Sequence, residues 1–310
     1  MTISRRLLFF VIIIFSVVSF SACGQSSQYD NKNNPPSPPF SKGGIRGFAD
    51  EKKLKILTTI APLYSFTKNI TGDLADVDNL LPPGAGPHEY SFSPSDIKRL
   101  TKAHMLIKNG LDLETWLDKA VTSFNIKDLI IVDTSAGADA IDSNPHIWLS
   151  PKHAIVQVMN IRKALIEADP GRKELYINNA DSYIKRLEKL DRDIKEEVKK
   201  WGRKEFVSFH PAFLYFAGDY GLRQVAVIQE SPEKEPSPKH VANVMKTIRE
   251  KGVQFIFSEI LSSPKIVDTI AKDLNLQVYK LDTLETGTLS PEWYEERIRK
   301  NLAVFKKALN

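Results

Sequence analysis

The segment from Pro170 to Trp201, PGRKELYINNADSYIKRLEKLDRDIKEEVKKW, carries one continuous helical pattern. Its apolar residues recur at steps of three and four, with charged residues between them; they are Tyr183, Leu187, Leu190, Ile194, Val198 and Trp201. This spacing predicts a single amphipathic helix. A helix of about 30 residues is about 45 Å long, because each residue adds about 1.5 Å. That length predicts a helix that runs along one domain and connects it to a second.

Short β-rich segments alternate with amphipathic helical segments on both sides of this helix. Such alternation is typical of α/β folds, because parallel strands need crossover helices. The predicted strands are 54–59, 76–81, 105–108 and 129–133 before the helix, and 206–209, 224–228, 254–258 and 278–281 after it. The sequence therefore predicts an α/β fold of two lobes, each with a parallel four-stranded sheet and flanking helices, joined by the long helix.

These patterns also divide the chain. We predict an N-terminal α/β lobe over residues 53–169, a linking helix over 170–201 and a C-terminal α/β lobe over 202–310. Residues 23–52 are rich in Ser, Asn, Pro and Gly and show no periodicity, which predicts a flexible tether. Two domains agree with a length of 310 residues.

The first 22 residues resemble a bacterial lipoprotein signal peptide. Arg5 and Arg6 precede a twelve-residue apolar run, and the small residues Ser21 and Ala22 precede Cys23. The run is shorter than the roughly 20 residues of a membrane-spanning helix. We expect cleavage before Cys23 and lipidation of its thiol, which would anchor the protein to a bacterial membrane, in the periplasm or on the outer face of the cytoplasmic membrane. An ordinary cleaved signal or a short anchor is the alternative.

Composition excludes several classes of function. A hydrophobic fraction of 42% excludes wholesale disorder, and the net charge of +5 is too small and dispersed to predict nucleic-acid binding. Cys23 is the only cysteine, so the chain has neither an intrachain disulfide nor a thiolate-rich metal site. Any metal site must therefore use oxygen and imidazole ligands.

Three of the six histidines lie next to predicted strand ends or helix starts: His88 in LPPGAGPHEY, His146 in SNPHIWLSP and His210 in VSFHPAF. Open α/β sheets bind ligands at the carboxyl ends of their strands, so these loops are expected to line a cleft. Asp282, at the end of the last predicted strand, adds a carboxylate. Three imidazoles and one carboxylate match a tetrahedral Zn²⁺ site, although their spacing alone does not distinguish it from structural histidines. Structural roles are expected for the remaining histidines, His104, His153 and His240.

Several motifs resemble those of the metal-binding lipoproteins of bacterial zinc and manganese uptake ABC transporters. They are LLPPGAGPHEYSFSPSDIKRL, NPHIWLSP, FVSFHPAFLYFAGDYGL, EPSPKH and IFSEILSSPKIVDTIA. The resemblance covers about residues 54–308 and implies two α/β lobes joined by a long helix, with the metal between them. It implies that the ligands are His88, His146, His210 and Asp282, and that Glu259 supports the site from behind.

This resemblance implies an extracytoplasmic, high-affinity zinc-binding component of an ABC importer, which delivers Zn²⁺ to a membrane permease. His210 favours zinc, because manganese-type members tend to have glutamate at that position and Mn²⁺ prefers more oxygen ligands. Residues 136–143 (AGADAIDS) lack the histidine-rich loop of many zinc-type members, so accessory metal capture is not predicted. We expect a monomer without catalytic activity.

Three alternatives remain open at this point. The first is a manganese- or iron-specific binding protein of the same type, since Mn²⁺ could occupy a similar site. The second is a zinc-dependent hydrolase with Asp282 or Glu259 as general base, although the chain lacks the GxSxG and HExxH motifs. The third is an adhesin, which composition neither supports nor excludes.

Overall fold

The computed structural model of the chain describes residues 53–88, 90–124, 126, 128–230, 235–261 and 265–310. The predicted signal peptide, the tether and the lipidation site Cys23 lie outside these residues. Within the described part of the chain, no helix combines the length and the apolar character needed to cross a membrane.

The N-terminal lobe is a parallel four-stranded sheet with the strand order β2-β1-β3-β4. Its strands are β1 (Leu54–Thr58), β2 (Ala75–Asn79), β3 (Met105–Lys108) and β4 (Ile130–Asp133). Its helices are α1 (Ala61–Thr71), α2 (Pro94–Leu100), α3 (Thr115–Ser123) and α4 (Pro151–Ala168). Proline fits the first turn of α2 and α4 because the missing N–H would have no partner there.

The long helical pattern forms α5 (Lys173–Lys199), which follows a short 3-10 turn. Its 27 residues span about 40 Å, because each residue adds about 1.5 Å. The face that α5 buries is the one that the apolar spacing predicts; its buried residues are Tyr176, Ala180, Tyr183, Leu187, Leu190, Ile194 and Val198.

The C-terminal lobe repeats the architecture of the first. Its parallel sheet has the order β6-β5-β7-β8. The strands are β5 (Glu205–Ser208), β6 (Arg223–Val227), β7 (Phe255–Glu259) and β8 (Gln277–Leu281). The helices are α6 (Leu214–Tyr220), α7 (Pro238–Lys251), α8 (Lys265–Leu274) and α9 (Trp293–Leu309). The predicted fold class is confirmed, and every predicted strand end lies within two residues of the observed one.

One hydrophobic core continues from the first lobe through α5 into the second. Phe66 of α1 packs edge-on against Tyr294 of α9, with ring centroids 4.7 Å apart. Deeper in the second lobe, Phe305 of α9 packs between the sheet and α6. Because close-packed interiors resist deformation, this shared core restricts large hinge movements between the lobes.

Asp219 on α6 joins the two lobes through the start of α4. Its carboxylate accepts hydrogen bonds from Ser150 Oγ at 2.6 Å and from Lys152 Nζ at 2.8 Å, and His153 Nε2 lies 3.4 Å away. Burial alone would raise the pKa of Asp219, but His153, Lys152 and Ser150 together lower it to about 2. The folded state therefore prefers the ionised carboxylate more strongly than the unfolded state does.

We expect Asp219→Asn to lower the free energy of unfolding by about 2 kcal/mol at neutral pH, because the variant loses this preference. The lowered pKa contributes stability above the unfolded value of about 4, and the contribution disappears as the pH falls through about 2. Urea denaturation across this pH range should show the free energies of unfolding of wild type and variant converging at acid pH. A difference in the free energy of unfolding between wild type and variant that stays the same at every pH would contradict the prediction.

Candidate metal centre

Four side chains converge at the carboxyl ends of the two sheets. His88 lies in the loop between β2 and α2, and His146 lies between β4 and α4. In the second lobe, His210 follows β5 directly and Glu285 lies in the loop after β8. Each lobe thus contributes two members of this His/Glu cluster, which therefore bridges the two lobes.

The donor atoms of the His/Glu cluster have the spacing of a four-coordinate metal site. One nitrogen or oxygen from each residue lies within 4.8 Å of all the others. The Nε2 atoms of His146 and His210 are 3.2 Å apart, and Glu285 Oε1 lies 3.3 Å from His88 Nε2 and 3.4 Å from His146 Nε2. Tetrahedral ligands with bonds of about 2.0–2.1 Å to zinc are about 3.3 Å apart. The cluster therefore fits a zinc-sized cation.

Hydrogen bonds behind the cluster fix the orientation of two imidazoles. His146 Nδ1 lies 2.9 Å from Asn144 Oδ1, and His210 Nδ1 contacts Glu259 Oε1. Both oxygens are acceptors, so Nδ1 donates in each pair and the neutral ring has its lone pair on Nε2. Two lone pairs that face each other at 3.2 Å repel unless a cation or proton lies between them. Such outer contacts also orient histidine ligands in metal sites.

Burial and neighbouring charged groups shift the pKa values of these side chains. Burial lowers the pKa of His146 to about 4, so its imidazole is neutral at pH 7 and able to bind a metal. Burial alone would raise the pKa of Glu285, but contacts with His146 and His88 lower it, so Glu285 is a carboxylate. For His210, burial opposes protonation, but Glu259 raises the pKa.

Two polar atoms of the cluster, His88 Nε2 and Glu285 Oε1, are buried and make no well-aligned hydrogen bond, although they lie 3.3 Å apart. Buried polar atoms normally have a partner, because leaving one unsatisfied costs about 1–3 kcal/mol. A cation bound by both atoms would remove this cost. The donor set, its spacing and its unsatisfied atoms are thus mutually consistent with a divalent metal site.

Residues 56–308 match the model of the family "Zinc-uptake complex component A periplasmic". The chain belongs to this family. The high-affinity zinc uptake system protein ZnuA of Bacillus subtilis (strain 168) is 33% identical over 328 aligned residues, covering 97% of each protein. The predicted family is therefore confirmed.

Solved structures of similar proteins include two with bound metals. The Zn(II)-bound ZnuA-like domain of Streptococcus pneumoniae AdcA has a TM-score of 0.70 and 32% identity, covering 83% of this chain and 99% of that domain. The solute-binding protein FpvC from Pseudomonas aeruginosa, in complex with Mn²⁺, has a TM-score of 0.77 and 30% identity, covering 83% of this chain and 98% of FpvC. Full-length streptococcal AdcA proteins are longer, and this chain spans 56% of their length.

The family resemblance implied Asp282 as the fourth ligand, but the structure does not bring its carboxylate into the His/Glu cluster. The side chain is buried, and its Oδ2 atom pairs with the guanidinium of Arg297 on α9. Its Oδ1 atom accepts a hydrogen bond from the backbone N–H of Leu284 at 2.9 Å. Glu285, three residues later, takes the place beside the histidines. The sequence feature that could have indicated Glu285 is a second carboxylate in the same loop, KLDTLET.

Glu259 ends β7, and its Oε1 atom contacts His210 Nδ1, the ring nitrogen on the side away from the cluster; its supporting role stays a prediction. The histidines predicted to be structural do not join the cluster in the described part of the chain. His104 accepts a hydrogen bond from the backbone of Lys55, and His240 Nε2 lies 3.0 Å from the carbonyl oxygen of Val227. These contacts place both rings against backbone rather than around a common point.

Proposed function

We propose that this protein is the extracytoplasmic zinc-binding component of an ABC importer, which captures Zn²⁺ between its lobes and delivers it to a membrane permease. The proposed ligands are His88, His146, His210 and Glu285. The observation that carries the proposal is the pair of inward-facing Nε2 atoms 3.2 Å apart, with a buried carboxylate oxygen 3.4 Å from one of them. Membership of the zinc-uptake family and the named functions of the relatives support it.

Zinc is favoured over manganese by the chemistry of the donors. Three imidazole nitrogens and one carboxylate form a compact, nitrogen-rich shell, whereas Mn²⁺ prefers more oxygen ligands and a higher coordination number. Burial keeps His146 neutral, which suits a metal that binds imidazole readily. Mn²⁺ is the relevant competitor, because FpvC is similar in structure and binds it.

Binding without catalysis follows from the same donor set. Catalytic zinc sites keep one coordination position for water or substrate, whereas four protein ligands fill a tetrahedral shell. Because two of the ligands belong to each lobe, small movements of the loops across the cleft would separate the ligands and release the ion. This arrangement suits capture and delivery better than hydrolysis.

The attachment to a membrane is a further part of the proposal. Removal of residues 1–22 and lipidation of Cys23 would hold the two lobes close to the permease. The family description is periplasmic, which agrees with an exported protein. We propose that the exported protein acts as a monomer, since both halves of the His/Glu cluster come from one chain.

The test is a zinc titration of the purified protein in competition with a chromophoric chelator, with Mn²⁺ as a second metal. We expect one Zn²⁺ per chain and tighter binding of Zn²⁺ than of Mn²⁺. Glu285→Gln keeps the shape of the side chain but removes its charge, and should weaken zinc binding about 10- to 100-fold. The exposed Glu292, at the start of α9, provides the matched control Glu292→Gln, which should bind as wild type.

Two outcomes would overturn the proposal. Wild-type zinc affinity in Glu285→Gln would remove this carboxylate from the ligand set. Tighter binding of Mn²⁺ than of Zn²⁺ in direct competition would reject zinc as the transported ion.

A further inference from the structure

The loop after β8 carries Glu285 into the cluster through a backbone bend at Leu284. The φ angle of Leu284 is +58°, in the left-handed region. Side chains other than glycine rarely adopt this region, because it costs about 1 kcal/mol or more. Neighbouring contacts must therefore hold Leu284 in place if Glu285 is to face the histidines.

Those contacts come from Asp282 and α9. Asp282 Oδ1 accepts the N–H of Leu284 at 2.9 Å, which closes the bend from inside the loop. Asn301 then fixes the backbone of Asp282 from both sides: its Oδ1 accepts the Asp282 N–H at 2.9 Å, and its Nδ2 donates to the Asp282 carbonyl at 2.7 Å. Arg297 pairs with the second carboxylate oxygen, Oδ2. Each polar group of Asp282 thus has a partner, and two of the partner residues lie on α9.

The same loop is tied to the N-terminal lobe on either side of Glu285. Trp148 Nε1 donates to the carbonyl oxygen of Thr283 at 2.8 Å, and Thr286 Oγ1 accepts the N–H of Gly84 at 2.7 Å. These two bonds fix the positions of the residues around the bend but do not set the direction of the Glu285 side chain. The bend at Leu284 lies between these two bonds, directly before Glu285, and its N–H donates to Asp282.

We propose that the Asp282–Arg297 pair is a positioning device for the zinc site: it holds the bend at Leu284 and so directs the carboxylate of Glu285 at the three histidines. The inference rests on the proposed function, in which Glu285 is a ligand. Arg297 keeps Asp282 Oδ1 facing the loop by binding Oδ2. Without Arg297, the buried carboxylate would have an unpaired charge and would be free to rotate away from the Leu284 N–H. Glu285 would then sample orientations outside the cluster.

The test is a double-mutant cycle between Arg297→Met and Glu285→Gln, with zinc affinity as the measured quantity. With Glu285 present, Arg297→Met should weaken zinc binding about 10-fold or more, as is typical for outer contacts of metal ligands. In the Glu285→Gln background, the same change should weaken binding less than about twofold, because the group that Arg297 positions is already lost. Arg299→Met is the matched control: Arg299 lies two residues later on α9, pairs with Asp193 and should be neutral for zinc binding.

Bound Co²⁺ gives a second readout, because its visible absorption reports coordination geometry. Arg297→Met should lose tetrahedral absorption, as Glu285→Gln does, while a conservative Arg297→Lys should retain part of it. Arg297→Lys also keeps the test informative if Arg297→Met does not fold.

The outcomes separate the two proposals. Equal losses of affinity from Arg297→Met in both backgrounds would mean that the pair acts on the fold alone, and would overturn the positioning role. An unchanged affinity in Arg297→Met would do the same. Wild-type affinity in Glu285→Gln would instead overturn the ligand set of the proposed function.

Discussion

His146→Ala is expected to weaken zinc binding about 10²- to 10³-fold. Four-ligand zinc sites bind with about 10–16 kcal/mol, so each ligand contributes about 3–4 kcal/mol on average. His146 lies close to two other members of the cluster, since its Nε2 atom is 3.2 Å from His210 Nε2 and 3.4 Å from Glu285 Oε1. Its removal leaves a three-ligand shell that water must complete. The other ligands also lose the neighbour that orients them.

Zinc affinity is measured by the same chelator competition as for the wild type. A second buried histidine serves as the control. His153 lies in the same lobe, is 6% exposed and contacts Asp219 rather than the cluster. His153→Ala therefore removes a buried imidazole without removing a ligand, and should keep its zinc affinity even where it lowers stability. If His146→Ala bound zinc within about threefold of wild type, the proposed site would be untenable.

Much of the candidate site could be predicted from the sequence, because its histidines lie in loops that follow strands of the two sheets. The strands are short apolar segments, and the loops that follow parallel strands begin at the same edge of the sheet, where residues of different loops can meet. The sequence pattern therefore indicated His88, His146 and His210 as candidate ligands, and the family resemblance implied the same three. It also selected Asp282, the first acidic residue after β8.

The choice between Asp282 and Glu285 could not be made in this way. In the structure Asp282 is held by Arg297 and Asn301, which lie 15 and 19 residues further along the chain. A bend at a leucine has no local signature comparable to that of glycine, since most side chains avoid positive φ. Under the positioning proposal, tertiary contacts with α9 decide which of the two nearby carboxylates faces the histidines.

In the fold, too, some features follow from the local sequence pattern and others depend on tertiary contacts. The apolar spacing of α5 predicted which face is buried, because helical periodicity depends only on sequence. The same pattern does not say what packs against that face. The core that joins the two lobes brings α1, α5 and α9 together, and residues far apart in the sequence meet there. The partners within this core could be found only in three dimensions.

Phe305→Ala is expected to lower the free energy of unfolding by about 3–5 kcal/mol, the usual range for removing a fully buried phenylalanine ring. Phe305 is 0% exposed. Its ring packs against four others at centroid distances of 4.8–5.6 Å; they are Phe206, Phe213, Phe216 and Phe257. Truncation would leave a cavity that these rings, held by strands and helices of the second lobe, can fill only in part.

Urea denaturation followed by circular dichroism and by tryptophan fluorescence measures this loss. Because one core runs through both lobes, we expect the two probes to give a single shared transition in wild type and variant. Phe124→Ala is the control: this ring is 51% exposed, and its removal should change stability by no more than about 0.5 kcal/mol. Separate transitions for the two probes would show that the lobes unfold independently. A loss below about 1 kcal/mol in Phe305→Ala would contradict the expected cost of the cavity.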